Sequence, residues 1–160
     1  MKLYWIFPAL LFLNKPILAE RLDDSLSPRQ QLDLDLQWKY QNRLEQLDEA
    51  QFQAMFGQAR NVEIRLNTSA YVGQRARISL LLPVVIRGLE DPSSLRLSWI
   101  TNGLFNSGSV TPGFAETIFE GVITDEVMID RFNFTVEIDA RFLSKTMRFV
   151  PVYDIEIISP

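Results

Sequence analysis

The stretch Arg75–Arg87, RARISLLLPVVIR, constrains the fold more than any other part of this chain. It is the longest apolar run after the N-terminus, and Ile78, Val84, Val85 and Ile86 are β-branched. It is too short, and at Pro83 too interrupted, to form the roughly 20-residue helix that spans a bilayer. Alternation puts Ala76, Ile78, Leu80 and Leu82 on one face. Arg75, Arg77 and Ser79 start the other face, which turns apolar at Leu81. The expectation is a strand that begins half-buried, becomes buried on both faces and needs cover on each side.

Two absences bound the chemistry. The 160 residues include no Cys and no His. That removes His general bases, Ser-His-Asp and Cys-His nucleophile systems, and zinc sites built on these ligands. Disulfides go with them, so the core alone must hold the fold. Apolar residues make up 47% and charged residues 22%, which suits a packed core. The net charge of −4 and the lack of a basic run argue against a nucleic-acid partner.

Residues 1–19 read as an export signal: Lys2, an apolar run from Leu3 to Leu13, then Ile17 and Ala19 at the positions before cleavage. Cleavage would leave Glu20 as the N-terminus and take the net charge from −4 to −6 by removing Lys2 and Lys15. The alternative is an uncleaved membrane anchor. Residues 20–60 read as a polar linker followed by a long amphipathic helix. Ser27, Pro28 and Gln30 supply an N-cap, a first-turn proline and a capping-box partner. Leu32, Leu36, Tyr40, Leu44 and Leu47 recur at helical spacing, with Met55 beyond and Gly57 as a stop. A helix over 28–56 would be about 43 Å long at 1.5 Å per residue.

From Asn61 the period changes to two, and residues 61–160 read as the β domain. Val62, Ile64 and Leu66 alternate with polar residues, as do Leu95, Leu97 and Trp99, and Phe132, Phe134, Val136 and Ile138. Asn102-Gly103 predicts a two-residue type I′ hairpin in which Ile100 faces Phe105 and Trp99 faces Asn106. Asn106–Gly113 reads as loop or irregular edge. Gly121 is a candidate bulge in the strand Thr117–Thr124, and Pro151 marks an edge or a change of sheet. About seven short strands at these spacings predict a mainly β fold, an antiparallel β-sandwich behind a long N-terminal helix. The layout is similar to immunoglobulin-like, Greek-key sandwiches in general, with Trp99 on an early strand but no Cys pair and no tyrosine corner. That resemblance implies architecture and no activity.

Carboxylates are the strong acid–base groups that remain. Asp125, Glu126 and Asp130 cluster at one connection and Glu90 and Asp91 at another. Turns collect such residues, and no calcium-loop pattern or cleft signature accompanies them. Ser144-Lys145 would put its two side chains on opposite faces of a strand, which is unsuited to a dyad. Arg65, Arg75, Arg77 and Arg96 are candidates for a shared outer face, most simply paired with local acids. Trp38 and Trp99 read as core. No catalytic, cofactor or metal residue is assigned.

The candidate partner contacts are Leu36, Tyr40, Leu44 and Leu47 on the helix and Ile100, Phe105 and Phe114 near the hairpin, with Leu104 beside them. The sequence therefore predicts a non-enzymatic cell-envelope protein, periplasmic or secreted, acting as an accessory or assembly subunit on another envelope protein. A loop module for a glycan, lipid or calcium is the alternative, and a carboxylate-based hydrolase stands third.

Overall fold

The computed structural model describes residues 19–28, 34, 36–39 and 53–158. The chain is mainly β. In order it forms β1 (Glu20–Arg21), β2 (Gln37–Trp38), β3 (Ala54–Asn67), β4 (Arg75–Leu81), β5 (Arg87–Leu89) and β6 (Leu95–Ile100). There follow β7 (Gly108–Val110), β8 (Ala115–Val122), β9 (Val127–Asp139), β10 (Leu143–Arg148) and β11 (Val152–Ile157). A four-stranded sheet runs β1-β11-β4-β8, a five-stranded sheet β2-β3-β9-β6-β7, and β10 pairs with β5. All pairings among the described residues are antiparallel.

The two larger sheets bury their inner residues in one cluster, so the arrangement is sandwich-like. Ile78, Leu80 and Tyr153 enter it from one sheet and Leu97, Trp99, Phe132 and Phe134 from the other. Strand alternation supplies both inner faces. In β9, Met128, Asp130, Phe132, Phe134, Val136 and Ile138 point inward and the residues between them outward.

β4 keeps one buried face. Ala76, Ile78 and Leu80 are buried, while Arg77 lies on the outer face between its cross-strand neighbours Glu120 and Glu156, at 3.0 and 3.5 Å. The expected second buried face does not form. The strand stops at Leu81, before Pro83, and Val84 and Val85 are 58% and 82% exposed. Proline cannot donate to a sheet ladder, so pairing ends there.

The single helix expected over 28–56 is not what this chain forms. Gln37–Trp38 is strand β2, paired with Phe56 and Met55, and β3 already begins at Ala54. Gly57, expected as a helix stop, lies inside β3 opposite Val136. β9 is a long strand that needs a partner on both sides, and a full ladder outweighs propensity differences of a few tenths of a kcal/mol per residue. Tyr40, Leu44 and Leu47 lie outside the described residues, as does the predicted export signal up to residue 18.

The stretch expected as a linker is strapped to both sheets. Glu20 pairs with Ile155, and the Leu22 N–H donates to the Tyr153 carbonyl at 2.7 Å. The Asn67 N–H donates to the Asp23 carbonyl on the opposite sheet at 2.9 Å. Ser27, expected to cap a helix, instead accepts from the Arg65 N–H through its hydroxyl at 2.9 Å. The bulge expected at Gly121 is displaced. Gly121 pairs with Ala76, and the β4–β8 register shifts at Ile118. The freed Ile118 carbonyl accepts from Asn106 N–H at 2.7 Å. The missing Gly121 side chain leaves room for the Phe119 ring, which would lie 3.2 Å from a Cβ there. Pro151 does stand between strands of two different sheets.

Tyr153 is 2% exposed, and its hydroxyl has no hydrogen-bond partner among the described residues. Burial pushes its pKa far above the usual tyrosine range, and the charge of Asp24 adds to the shift. Tyr153→Phe should therefore raise stability by about 1 kcal/mol in urea unfolding, because it deletes an unpaired buried hydroxyl. The raised folded-state pKa also gives a pH signature. Stability is whole below the unfolded tyrosine value of about 10 and falls as pH rises beyond it. The phenylalanine variant should lose less over that alkaline window.

Candidate functional site

Chemistry-bearing side chains gather on the outer face of the five-stranded sheet, around an irregularity in β3. The β3–β9 register shifts between Ala59 and Val62, where Asn61 takes a left-handed φ of 57°. Asparagine tolerates that conformation better than most residues. The Asn61 N–H donates to Asn133 Oδ1 at 2.8 Å, which fixes the bulge to β9. A shallow depression of about 520 Å³ opens beside it, lined by Glu63, Asn102, Gly103, Ile129, Asp130, Arg131 and the Asn61–Asn133 pair.

The charges there are already matched. Glu63 accepts from Arg65 Nε at 2.7 Å, and Arg131 lies 3.5 Å away. The Arg65 hydrogen bond holds the Glu63 carboxyl below its usual range against slight desolvation, with Arg131 adding to it. The acidic cluster does not converge. Asp125 accepts from the Thr124 hydroxyl at 2.8 Å, and the Glu126 backbone carbonyl accepts from Thr68 N–H. Asp130 turns inward. Asp91 caps a short 3₁₀ turn by accepting from Ser93 N–H at 2.9 Å. Among the described residues, no three acidic side chains are placed to share a cation. Such an arrangement offers hydrogen bonds and matched charge.

The four arginines do not form one row. Arg75 and Arg77 reach Glu120 on the four-stranded sheet, Arg65 reaches Glu63 on the five-stranded sheet, and Arg96 donates to the Ser109 hydroxyl. The side chains of Ser144 and Lys145 lie outside those described.

The Asn102-Gly103 turn is also built differently. Trp99 pairs with Gly108 and Leu97 with Val110, so the link between β6 and β7 is a wide loop. The loop curls because Phe105 is drawn into the core. Phe105 is 3% exposed, with its ring 5.8 Å from that of Phe132. Asp130 Oδ2 accepts from Phe105 N–H at 2.9 Å, and Oδ1 accepts from Arg131 N–H at 2.7 Å. The Thr101 hydroxyl donates to the Phe105 carbonyl and the Trp99 indole to the Asn106 carbonyl. Gly103 passes so close to the Asp130 carboxylate that a Cβ would collide with it.

The expected contact patch therefore divides into three. Ile100, 62% exposed, sits opposite Asn133, which lines the depression, with exposed Leu104 in the adjoining loop. Phe105 is core. Phe114, 68% exposed, lies with Val84 and Val85 at one end of the four-stranded sheet. Leu36 is partly buried against the core, and Trp38, expected inside, is 43% exposed. Sequence reading missed Ile129, which the clearest alternation, starting at Phe132, leaves out. The period-two continuation of Val127–Ile129 into Phe132 was the available signal. It missed Val84 and Val85 because Pro83 was not taken as the end of the strand. Compared with known protein families, curated proteins and solved structures, the chain matches none.

Proposed function

We propose that this chain is an exported, non-enzymatic cell-envelope protein, periplasmic or secreted, that acts as an accessory or assembly subunit by contact with another envelope protein. The observation that carries this reading is the outer face of the five-stranded sheet. Exposed Ile129 lines the shallow depression, exposed Ile100 stands opposite its lining residue Asn133, and exposed Leu104 follows its lining residue Gly103, while Asn61, Asn133 and Glu63 on its floor are already hydrogen-bonded. Exposed apolar side chains beside hydrogen-bonded polar groups suit a protein contact. Glu63 on that face is paired with Arg65 and Arg131, in a chain with no His or Cys, which supports the non-enzymatic reading. One core shared by two antiparallel sheets supports the immunoglobulin-like, Greek-key reading of the fold.

Export rests on the N-terminal sequence and is compatible with the fold. β1 starts at Glu20, so cleavage after Ala19 keeps β1 and its pairing with β11. The experiment is fractionation of cells expressing the chain, with intact mass measured on each fraction. The expected result is a chain starting at Glu20 in the periplasmic or secreted fraction. A full-length chain confined to the cytoplasm would overturn the reading.

A further inference from the structure

The end of the four-stranded sheet carries a second surface, on different residues from the depression. Leu81 pairs with both Val152 and Ala115, so the chain segments just beyond these residues emerge together. They bring Val84, Val85, Phe114 and Val150 to one tip, all exposed. Gly113 N–H donates to the Leu82 carbonyl at 2.8 Å, and a Cβ on Gly113 would touch Val84 at 3.2 Å. Ile86 and Phe149 alternate with the exposed residues and are buried, which pins the tip to the core.

Arg87 and Arg148 follow immediately. They face each other as partners across the β5–β10 ladder, and both are exposed. Like charges directly opposite one another disfavour a sheet. Neither has an ion pair among the described residues, unlike Arg65, Arg75, Arg77, Arg131 and Arg141. They stand two residues from Val85 and Val150, about 7 Å along an extended chain. The acid nearest Arg87 in sequence is Glu90, beyond β5; the one nearest Arg148 is Asp154, within β11; and Glu116, two residues from Phe114, lies within β8.

We propose that this tip docks on an anionic phospholipid surface, with Val84, Val85, Phe114 and Val150 entering the interface and Arg87 and Arg148 meeting the phosphates. The offset between apolar and cationic groups matches the step from acyl chains to headgroups. The exposed apolar groups come from three separate chain segments beside two cations unpaired among the described residues, a combination that suits an anionic fluid surface. Four side chains and two charges make a weak, reversible contact that orients the domain and leaves the Ile100 face free. This goes beyond the protein-contact reading and does not depend on it.

The absence of Cys makes the test clean. Val85→Cys labelled with an environment-sensitive dye reports the tip, and Gln58→Cys reports the outer sheet face. Phosphatidylglycerol-containing vesicles should blue-shift the Val85 label and leave the Gln58 label unchanged, and pure phosphatidylcholine vesicles should shift neither. Arg87→Ala and Arg148→Ala should each weaken the response about fivefold. Phe114→Asp should weaken it more than tenfold. Unchanged thermal melts would show that these exposed substitutions leave the fold intact. No shift with anionic vesicles, an equal shift with neutral ones, or a tip that instead crosslinks a single protein would each overturn the proposal.

Discussion

Trp99→Ala lowers the stability of the fold by about 3–5 kcal/mol in urea unfolding followed by circular dichroism. Trp99 is 2% exposed and sits in β6, between β9 and the short edge strand β7. It pairs with Phe134 on one side and Gly108 on the other. Its ring occupies the space over Gly108, where a Cβ would lie 3.0 Å from Cζ2. The indole N–H donates to the Asn106 carbonyl at 2.9 Å, tying the β6–β7 loop to the sheet. Alanine removes the largest wall of the core and leaves that carbonyl without its donor. Trp99→Phe keeps most of the volume and loses only the donor, so it should cost about 1–2 kcal/mol. A loss below about 1 kcal/mol for the alanine variant would mean that the site collapses without a cavity, and the core would then be misassigned.

Asp130→Ala costs about 2–3 kcal/mol, and its effect is coupled to Gly103. The Asp130 carboxylate is buried and accepts from two backbone N–H groups, those of Phe105 and Arg131. Removing it leaves the Phe105 donor unpaired inside the loop. Gly103→Ala should cost about 1–3 kcal/mol alone, because the new Cβ runs into that carboxylate. Gly103 is not among the residues with positive φ, so collision alone is tested. In an Asp130→Ala background the collision partner is gone, and Gly103→Ala should then be close to neutral. Additive costs in this double-mutant cycle would show that the close approach does not hold the loop.

Much of the β domain could be read from alternation because one buried face imposes a period of two. The inward rows of β4, β6 and β9 follow directly from Ile78 and Leu80, Leu97 and Trp99, and Phe132 to Ile138. Gln37–Trp38 and Ala54–Phe56 were misread as helix because Leu, Gln and Ala satisfy helical spacing locally, whereas the pairing of Ala54–Ala59 is decided by β9, about 80 residues later. The Asn102-Gly103 turn was misread for a similar reason. Its dipeptide favours a tight hairpin, but Phe105 gains more by burial against Phe132, and Asp130 supplies the anchor from a distant strand. Long-range contacts of this kind leave no local trace. Of the expected contact residues, Ile100 and Phe114 are exposed and on separate surfaces, and Phe105 is not on the surface at all.

The most direct test of the proposed contact role is photo-crosslinking in intact cells, with a reactive residue placed singly at Ile100, Ile129, Gln58 or Phe105. Ile129 lines the depression and Ile100 stands opposite its lining residue Asn133, Gln58 lies exposed on β3 outside the lining, and Phe105 is buried. The account predicts one discrete protein adduct shared by Ile100 and Ile129, absent from Gln58 and Phe105, and lost when Leu104→Glu is added. Intramolecular products alone from Ile100 and Ile129, or the same adducts from Gln58 as from Ile100, would contradict it.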